Sequence, residues 1–285
     1  MRITWRVMLL AGFLAGTWAA GAPRAAAQNP DEMLPDESAA KAKELIQQAI
    51  QGLGGSAYLN VHDVTCTGRL SQFGHSGELN GFATFVDYTI PPNKDRTENL
   101  PKRNLIQVMN GTKGWVLDRG GVSPAAETDV ATYQDDVRKD IDNILRHRVT
   151  EPGMTFRYGG PDVVDLKEAD WVELVDSENR TVRFAIARST HLPIRKVVIS
   201  RDKDTRTKID ELEYYSNYHP ISGIETPYQI TRERSGIKVY QVFFEKCEYN
   251  TNLSDSLFTR ESLDERWAKV GKKPKDKKQK NDKGN

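Results

Sequence analysis

The chain is poor in the residues from which metal and redox sites are usually built. Its 285 residues include only two cysteines and five histidines. Two cysteines exclude a multiply disulfide-bonded scaffold, and the sequence has no CxxC pair and no HExxH spacing. A GxSxG nucleophile elbow and a phosphate-binding loop are missing as well. We therefore predict no metal, no cofactor and no catalytic group, so that an enzyme is the least favoured class.

Two local patterns could suggest catalysis, but each has a simpler interpretation. Residues 52–57 fit a loose GxGxxA dinucleotide pattern, yet these glycines end a predicted helix, whereas a dinucleotide loop leaves a strand and opens a helix. Glu211 and Glu213 share one face of a predicted strand, an arrangement that could supply the two carboxylates of a glycosidase. Because 28% of the residues are charged, we expect a solvated sheet face there instead.

Long apolar runs are also scarce, and the clearest one lies near the N-terminus. Arg2 and Arg6 precede an apolar segment over residues 7–20, and the small residues 25–27 fit a cleavage site. This pattern predicts a cleavable secretory signal peptide over 1–27 and a periplasmic location. An uncleaved membrane anchor is the alternative, although a span usually needs about 20 apolar residues.

The charge is distributed unevenly along the chain. Removing residues 1–27 removes three arginines and no acidic residue, so the formal net charge falls from +1 to −2. From Lys269 onward there are eight lysines and two aspartates, a charge of +6, which leaves −8 on the part before it. An acidic body argues against nucleic acid as a partner. The basic end either solubilises the protein or contacts an anionic membrane surface.

The same composition suggests how the chain is divided. After the signal we predict a flexible linker over 28–37, one domain over 38–267, and a disordered lysine-rich tail over 268–285. No Pro/Gly/Ser-rich linker interrupts the domain, and no repeat of fixed period is present.

The hydrophobic pattern predicts a mostly β protein. Ser38 can cap an amphipathic helix that ends at Gly54-Gly55, and residues 128–148 return to helical spacing. A short helix to Trp267 ends the domain. Alternating patterns predict strands at 61–73, 79–90, 94–99, 104–110, 113–118, 163–166, 170–176, 180–188, 193–201, 206–215, 225–234 and 236–249. The fold class is therefore α+β, mostly β: a single antiparallel meander of about eleven strands, curved into an open half-barrel around one or two helices.

Bulky apolar residues on alternate strand positions are candidates for a concave, ligand-binding face. In the strand at 79–90, for example, Asp87 and Thr89 fall on the face opposite to the apolar residues, which we expect to be wet. The alternative is that the apolar residues fill an ordinary core. The candidates are Phe82, Val86, Tyr88, Leu105, Met109, Trp115, Leu117, Phe184, Ile186, Tyr228, Tyr240 and Phe243.

The two cysteines, Cys66 and Cys247, each lie in a predicted strand. In an exported protein a disulfide between them is chemically permitted and would close a loop of about 180 residues. Two separate buried thiols are the alternative.

Several short motifs, in their order along the chain, carry a resemblance to a known family. They are Gly68-Arg-Leu after the first helix, the segment 91–98 beginning Pro-Pro, the segment 107–115 ending in Trp115, His191-Leu-Pro-Ile-Arg195, the segment 223–228, and the segment 252–258. Together they resemble a distant branch of the LolA-like and LolB-like superfamily, the periplasmic carriers of outer-membrane lipoproteins, also called the lipoprotein-sorting superfamily. The resemblance covers about residues 38–258.

The resemblance implies an open barrel with helices as a lid and an apolar cavity for acyl chains. It thus implies a non-enzymatic periplasmic carrier or binding protein, with the acyl chains of a lipoprotein or lipid as its partners and transient contacts to a membrane surface or a protein. The lid would be the helix over 128–148. Ile90 stands where the carriers have an arginine, and Arg96 is our candidate for a polar contact at the cavity mouth. The alternative is an envelope sensor or assembly scaffold that binds a protein.

Overall fold

The computed structural model describes residues 30–201 and 207–271, so the predicted signal peptide and most of the predicted tail lie outside the described residues. The helices are α1 (Pro35–Leu53), α2 (Ser56–Leu59), α3 (Glu127–Lys139), α4 (Ile141–Arg146) and α5 (Arg260–Gly271), with 3₁₀ turns at Pro30–Glu32, Arg148–Thr150 and Asp255–Phe258. None of the helices described is long and apolar enough to cross a membrane.

The strands are β1 (Val64–Phe73), β2 (Leu79–Ile90), β3 (Lys94–Leu100), β4 (Ile106–Asn110), β5 (Lys113–Asp118), β6 (Gly121–Pro124), β7 (Thr155–Val164), β8 (Lys167–Val175), β9 (Thr181–Ala187), β10 (Pro193–Arg201), β11 (Lys208–Ile221), β12 (Ile224–Arg234) and β13 (Ile237–Tyr249).

All thirteen strands form one antiparallel sheet in the order β6-β5-β4-β3-β2-β1-β13-β12-β11-β10-β9-β8-β7. The predicted fold class, a mostly β meander that is not closed, is confirmed. The prediction of about eleven strands was low: β6, only four residues long, was not predicted, and the predicted range 163–166 covers only the last two residues of β7. Neighbours in the sheet are consecutive in the chain except at one seam, where β1 pairs with β13.

The sheet is strongly curved. Six strand spacings separate β3 from β10, which is about 29 Å in a flat sheet at about 4.8 Å per strand. Nevertheless, Asp95 of β3 and Lys196 of β10 line the same cavity of about 380 Å³. Only a curved sheet brings these two strands around one space, and helices α3 and α4 lie across its concave side.

The main core fills one half of this concave side. Helix α1 buries the apolar stripe predicted from its sequence, which includes Leu45, Ile46 and Leu53, and α4 buries Ile144 and Leu145 beside it. Helix α1 begins at Pro35, within the predicted linker, because proline is well suited to the first turn of a helix. Ser38 is therefore not the cap; its hydroxyl accepts a hydrogen bond from the backbone N–H of Tyr158 in β7 at 2.9 Å.

A second core lies on the opposite, convex side of β3–β5. Phe258 and Leu263, from the 3₁₀ turn and helix α5, are completely buried against Ile106, Val108 and Leu117. The first strands of the sheet are therefore covered by helices on both faces. This explains why their sequences carry apolar residues on both sides.

The helix predicted over 128–148 is broken at Asp140. This residue has an extended backbone, and its carboxylate caps α4 by accepting the N–H of Asn143 at 2.8 Å. The break separates two different environments. Helix α4 belongs to the main core, whereas none of the residues of α3 is fully buried.

A disulfide joins Cys66 and Cys247, which lie directly opposite each other in β1 and β13. The two alternatives that the sequence left open are thus resolved in favour of the bridge. The bond crosses the seam of the sheet, where the first six strands meet the last seven.

Candidate functional site: a groove beneath helix α3

A groove lies between α3 and the concave face of the strands around the seam. Its cavity has a volume of about 380 Å³, and Tyr133 and Val137 of α3 form its roof. The floor comes from β1–β3 and β10–β13 and includes Cys66, Asp87, Thr89, Asp95, Lys196, Glu213, Ile230, Arg232, Tyr240, Phe244 and Tyr249.

The concave face next to this floor is apolar, and it reaches the cavity at Phe244. The rings of Phe85 and Phe244 meet edge to face with their centroids 6.1 Å apart. The register places Leu70 between Ala83 and Val242, on the same face as these rings. We call these five residues the apolar strip. All five are only partly buried, so the strip keeps apolar surface that a ligand could cover.

The adjoining part of the floor is acidic. The hydroxyl of Thr97 lies 2.7 Å from a carboxylate oxygen of Asp87 and 3.2 Å from one of Asp95, so two carboxylates share one donor. Burial raises the pKa of Asp95 well above its ordinary value, and the charge of Asp87 raises it further. Burial also raises the pKa of Asp87, although the hydroxyls of Thr97 and Thr89 oppose this.

The cations of the groove are paired with other acids. Lys196 lies 2.6 Å from Glu213, and Arg232 lies 2.8 Å from Asp136 and 3.1 Å from Glu213. The third cation, Arg146, faces Asp142 at 3.5 Å. Asp87 and Asp95 consequently have no ion-pair partner of their own among the described residues, in keeping with the raised pKa of both carboxyls. Among the described residues, no group of His, Cys, Asp or Glu is arranged to hold a metal ion.

The expectation that Glu213 lies on a solvated face is wrong. Its side chain is buried on the concave side, where it also accepts a hydrogen bond from the hydroxyl of Tyr215 at 2.6 Å. Burial opposes its ionisation, but Lys196 and Arg232 hold the pKa of Glu213 below its ordinary value. An ionised carboxylate fixed by two cations serves to hold the site together and is poorly suited to proton transfer.

Polar contacts hold α3 over the groove. Arg232 of β12 bonds Asp136 at 2.8 Å, and Lys139 approaches Glu211 of β11 at 3.5 Å. These tethers lie toward the C-terminal half of α3. Since the helix buries no side chain fully, it is attached to the sheet by few apolar contacts.

Most of the residues proposed from the sequence do not line this groove. Val86, Tyr88, Trp115, Leu117 and Phe243 lie on the convex face, and Tyr88, Trp115 and Leu117 pack in the core beneath α5. The physical reason is that apolar residues occupy both faces of these strands, so alternation alone does not reveal which face is concave. Phe82 is 78% exposed on the convex face, and Leu105 is exposed just before β4.

The remaining candidates have different surroundings. Phe184 and Ile186 are on the concave face but are completely buried in the main core. The ring of Tyr228 packs against His219, with centroids 4.6 Å apart. Tyr240 does line the groove, and Met109 is buried on the same side, near α3.

Arg96 is not at the mouth of the groove. Its guanidinium is buried on the convex side, where it bonds Glu98 at 2.7 Å, the carbonyl of Leu257 at 2.8 Å and the hydroxyl of Ser262 at 2.9 Å. Arg96 therefore fastens the C-terminal segment to β3.

Sequence reasoning missed the apolar strip and the acidic pair. Phe85 and Phe244 are as bulky as the residues chosen. Each is the sequence neighbour of a chosen residue, Val86 or Phe243, and therefore lies on the opposite face of its strand. The available signal was Asp87 itself. A carboxylate in the middle of an otherwise apolar strand marks a face with a special environment.

Searches against protein-family models and curated protein sequences find no match. Solved structures do match. One is a DUF1329 family protein from Desulfovibrio piger, with a TM-score of 0.55 at 15% identity, covering 78% of this chain and 98% of that one. A LolA superfamily protein from Nitrosomonas europaea has a TM-score of 0.51 at 14% identity over 78% and 99%. A domain from Vibrio parahaemolyticus, described as outer membrane lipoprotein-sorting, has a TM-score of 0.52 at 10% identity over 79% and 99%.

These matches cover nearly the whole of each matched structure, so the chain belongs by its fold to the class of curved, open sheets with helices on the concave side. Within that class the fold is LolA-like, as the sequence motifs predicted. At these identities the likeness concerns the fold.

Proposed function

We propose that this chain is a non-enzymatic carrier or binding protein of the cell envelope for acyl-bearing ligands, lipoproteins or lipids, whose apolar chains lie along the apolar strip. One observation carries the proposal: partly buried apolar side chains run along the concave face to Phe244, which lines a groove whose roof, α3, buries none of its own residues fully. A cavity of about 380 Å³ is also within the usual range of ligand pockets, about 300–1,000 Å³.

The driving force would be the transfer of methylene groups from water to the strip. Each buried CH₂ contributes about 0.8 kcal/mol, and the ordering of the ligand and of α3 offsets part of this gain. The acidic pair, Asp87 and Asp95, would lie beside the polar end of the ligand. An amphiphile therefore fits the groove better than a purely apolar molecule does.

We propose that the lid is α3 alone and not the whole of 128–148. Helix α4 cannot leave without exposing Ile144 and Leu145, which are 1% exposed. Helix α3 can move by breaking its polar tethers, and the extended residue Asp140 lies where a hinge is required. The two ion pairs that tether α3 are partly buried, so breaking them is a cost that ligand binding has to offset.

A matched pair of neighbouring phenylalanines provides the test. Phe244 lies in the groove, whereas Phe243 lies on the convex face, and both are partly buried. We expect Phe244→Asp to weaken the binding of a fluorescent fatty acid at least about tenfold, because it removes apolar contact area and adds an anion. Phe243→Asp should change the affinity little, and circular dichroism would verify that both variants fold.

Native mass spectrometry and lipid extraction of the purified protein would complete the test. We expect co-purified acyl lipid that the fluorescent fatty acid displaces. If no lipid is found and the fatty acid does not bind, the carrier proposal fails, and the alternative of an envelope sensor or scaffold that binds a protein would be preferred. Equal loss of binding in both phenylalanine variants would also contradict the proposed location of the ligand.

A further inference from the structure

Exposed apolar side chains are concentrated at one end of the sheet. We call this the turn end; it carries the turns β1–β2, β3–β4, β5–β6 and β12–β13, because strands in an antiparallel meander reverse direction at each turn. Leu79 and Phe82 at the start of β2 are 61% and 78% exposed. The other exposed large apolar residues toward this end are Leu105, Ile199, Ile237, Val239 and Trp267.

Two neighbouring turns form the most apolar part of the turn end. Strand β1 pairs with both β2 and β13, so the β1–β2 and β12–β13 turns are side by side. The ammonium group of Lys238 lies 5.1 Å from the ring centre of Phe73, so the two turns touch. Ile237 and Val239, which flank Lys238, are exposed, and the exposed Leu79 pairs with Phe73 from the other side of β1. The result is an apolar surface with a cation in its middle.

Helix α5 brings the lysine-rich segment to the same end. The chain approaches α5 at the opposite end of the sheet, where Asp255 bonds Lys94 at 2.7 Å. It then crosses the convex face, and Trp267 lies beside Gly121 in the β5–β6 turn. Helix α5 therefore ends at Gly271 toward the turn end, and the sequence from Lys269 onward contains eight lysines and two aspartates.

Two acidic groups of these turns accept hydrogen bonds from within their own turns and keep their charge. The carboxylate of Glu78 accepts the hydroxyl of Ser76 at 2.6 Å, and that of Asp118 accepts the N–H of Gly120 at 2.7 Å. The part of the chain over 28–268 carries a net charge of −8, so an anionic surface repels most of the molecule. The attraction of the protein to an anionic surface is confined to the end where the lysine-rich sequence follows α5. The protein is therefore expected to approach such a surface in one orientation.

We propose that the turn end binds the surface of an anionic lipid bilayer. Exposed apolar residues of the β1–β2 and β12–β13 turns enter the interface, and the lysines from Lys269 onward attract the lipid headgroups. Reversible membrane binding that becomes stable only when an apolar anchor and a polybasic segment act together is a general property of peripheral proteins. This interaction goes beyond the carrier function and needs no cargo in the groove.

Flotation of the purified chain with vesicles tests the proposal, using pure phosphatidylglycerol or pure phosphatidylcholine. We expect binding to phosphatidylglycerol that weakens as salt is added, and little binding to phosphatidylcholine. The variant Leu79→Ser/Phe82→Ser should bind at least about tenfold more weakly. Val163→Ser/Leu166→Ser is the matched control, because these residues are 65% and 97% exposed at the opposite end of the sheet; it should bind normally.

A second variant isolates the electrostatic part. Changing Lys272, Lys273 and Lys275 to Gln should weaken binding to phosphatidylglycerol by about fivefold for each lysine at low salt. The proposal is overturned if the wild-type chain does not float with phosphatidylglycerol vesicles, if the control pair lowers binding as much as the Leu79/Phe82 pair, or if the lysine variant alone shows a defect. Phe244→Asp should bind vesicles normally. A failure of the carrier proposal in the fatty-acid assay would therefore be distinguishable from a failure of the membrane proposal in the flotation assay.

Discussion

Removing the disulfide should weaken the fold at one defined place. The Cys66–Cys247 bond crosses the pairing of β1 with β13, the seam between the first six strands and the last seven. Without the bond, this seam depends on the backbone ladder and on the packing of the helices. We expect Cys66→Ala/Cys247→Ala, and likewise reduction of the wild-type protein, to lower the free energy of unfolding.

The size of the effect follows from the length of the closed loop. The two cysteines are 181 residues apart in sequence, for which the chain-entropy treatment gives about 5 kcal/mol. A domain of this size is typically stable by about 5–15 kcal/mol. Loss of the bond would therefore remove between a third and nearly all of the stability, a change far larger than most single substitutions produce.

Urea unfolding under oxidising and reducing conditions measures this difference. The wild-type protein should lose about 5 kcal/mol on reduction, whereas the double alanine variant should be equally unstable in both conditions. The reasoning would be refuted if reduction, verified by thiol titration, left the unfolding midpoint of the wild-type protein unchanged. The β1–β13 ladder would then hold the seam without the covalent bond.

Two further predictions concern the convex core and the acidic pair. Phe258→Ala should destabilise the protein by about 3–5 kcal/mol in urea unfolding, because Phe258 is completely buried, while Phe82→Ala, at a 78% exposed position, should change stability by about 0.5 kcal/mol or less; similar losses in both would contradict the burial of Phe258 in the convex core. The raised pKa of Asp95 means that the folded protein retains a proton that the unfolded chain releases, so stability should fall as pH rises from the ordinary carboxyl pKa to the raised one. Asp95→Asn should flatten this dependence and raise stability at neutral pH, and an unchanged pH profile of unfolding would count against the buried pair with Asp87.

The sequence predicted the elements far better than it predicted the site. The apolar stripe of α1 and most of the strands were legible because each has one strong period and clear turn residues. The two cysteines allowed a disulfide but did not show whether it forms, because that depends on which strands become neighbours in the sheet. That information is long-range, and β1 and β13 are far apart in the chain.

The assignment of faces failed for a different reason. In β2, Val86 and Tyr88 look like a core face beside Asp87 and Thr89, and they do pack against protein. The protein they meet, however, comes from the C-terminal segment around Phe258, whose few apolar residues give no hint of their destination. Asp87, on the concave side, suggested a solvent-exposed face, because the sequence does not show that α3 lies over this residue.

The pairing of the first strand with the last has a consequence for how the chain folds. Starting from β7, the sheet follows the chain to β13 and continues from β1 to β6, so its order is a circular permutation of a simple meander. Every other pairing is a local hairpin, but the seam closes over 181 residues, and such distant contacts slow folding. Until β13 is available, β1 has a free edge able to pair with another chain. A permutant opened between α4 and β7, with α5 linked to α1, would shorten the separation across the seam to the length of α5, the linker, α1 and α2, and so shorten this vulnerable stage.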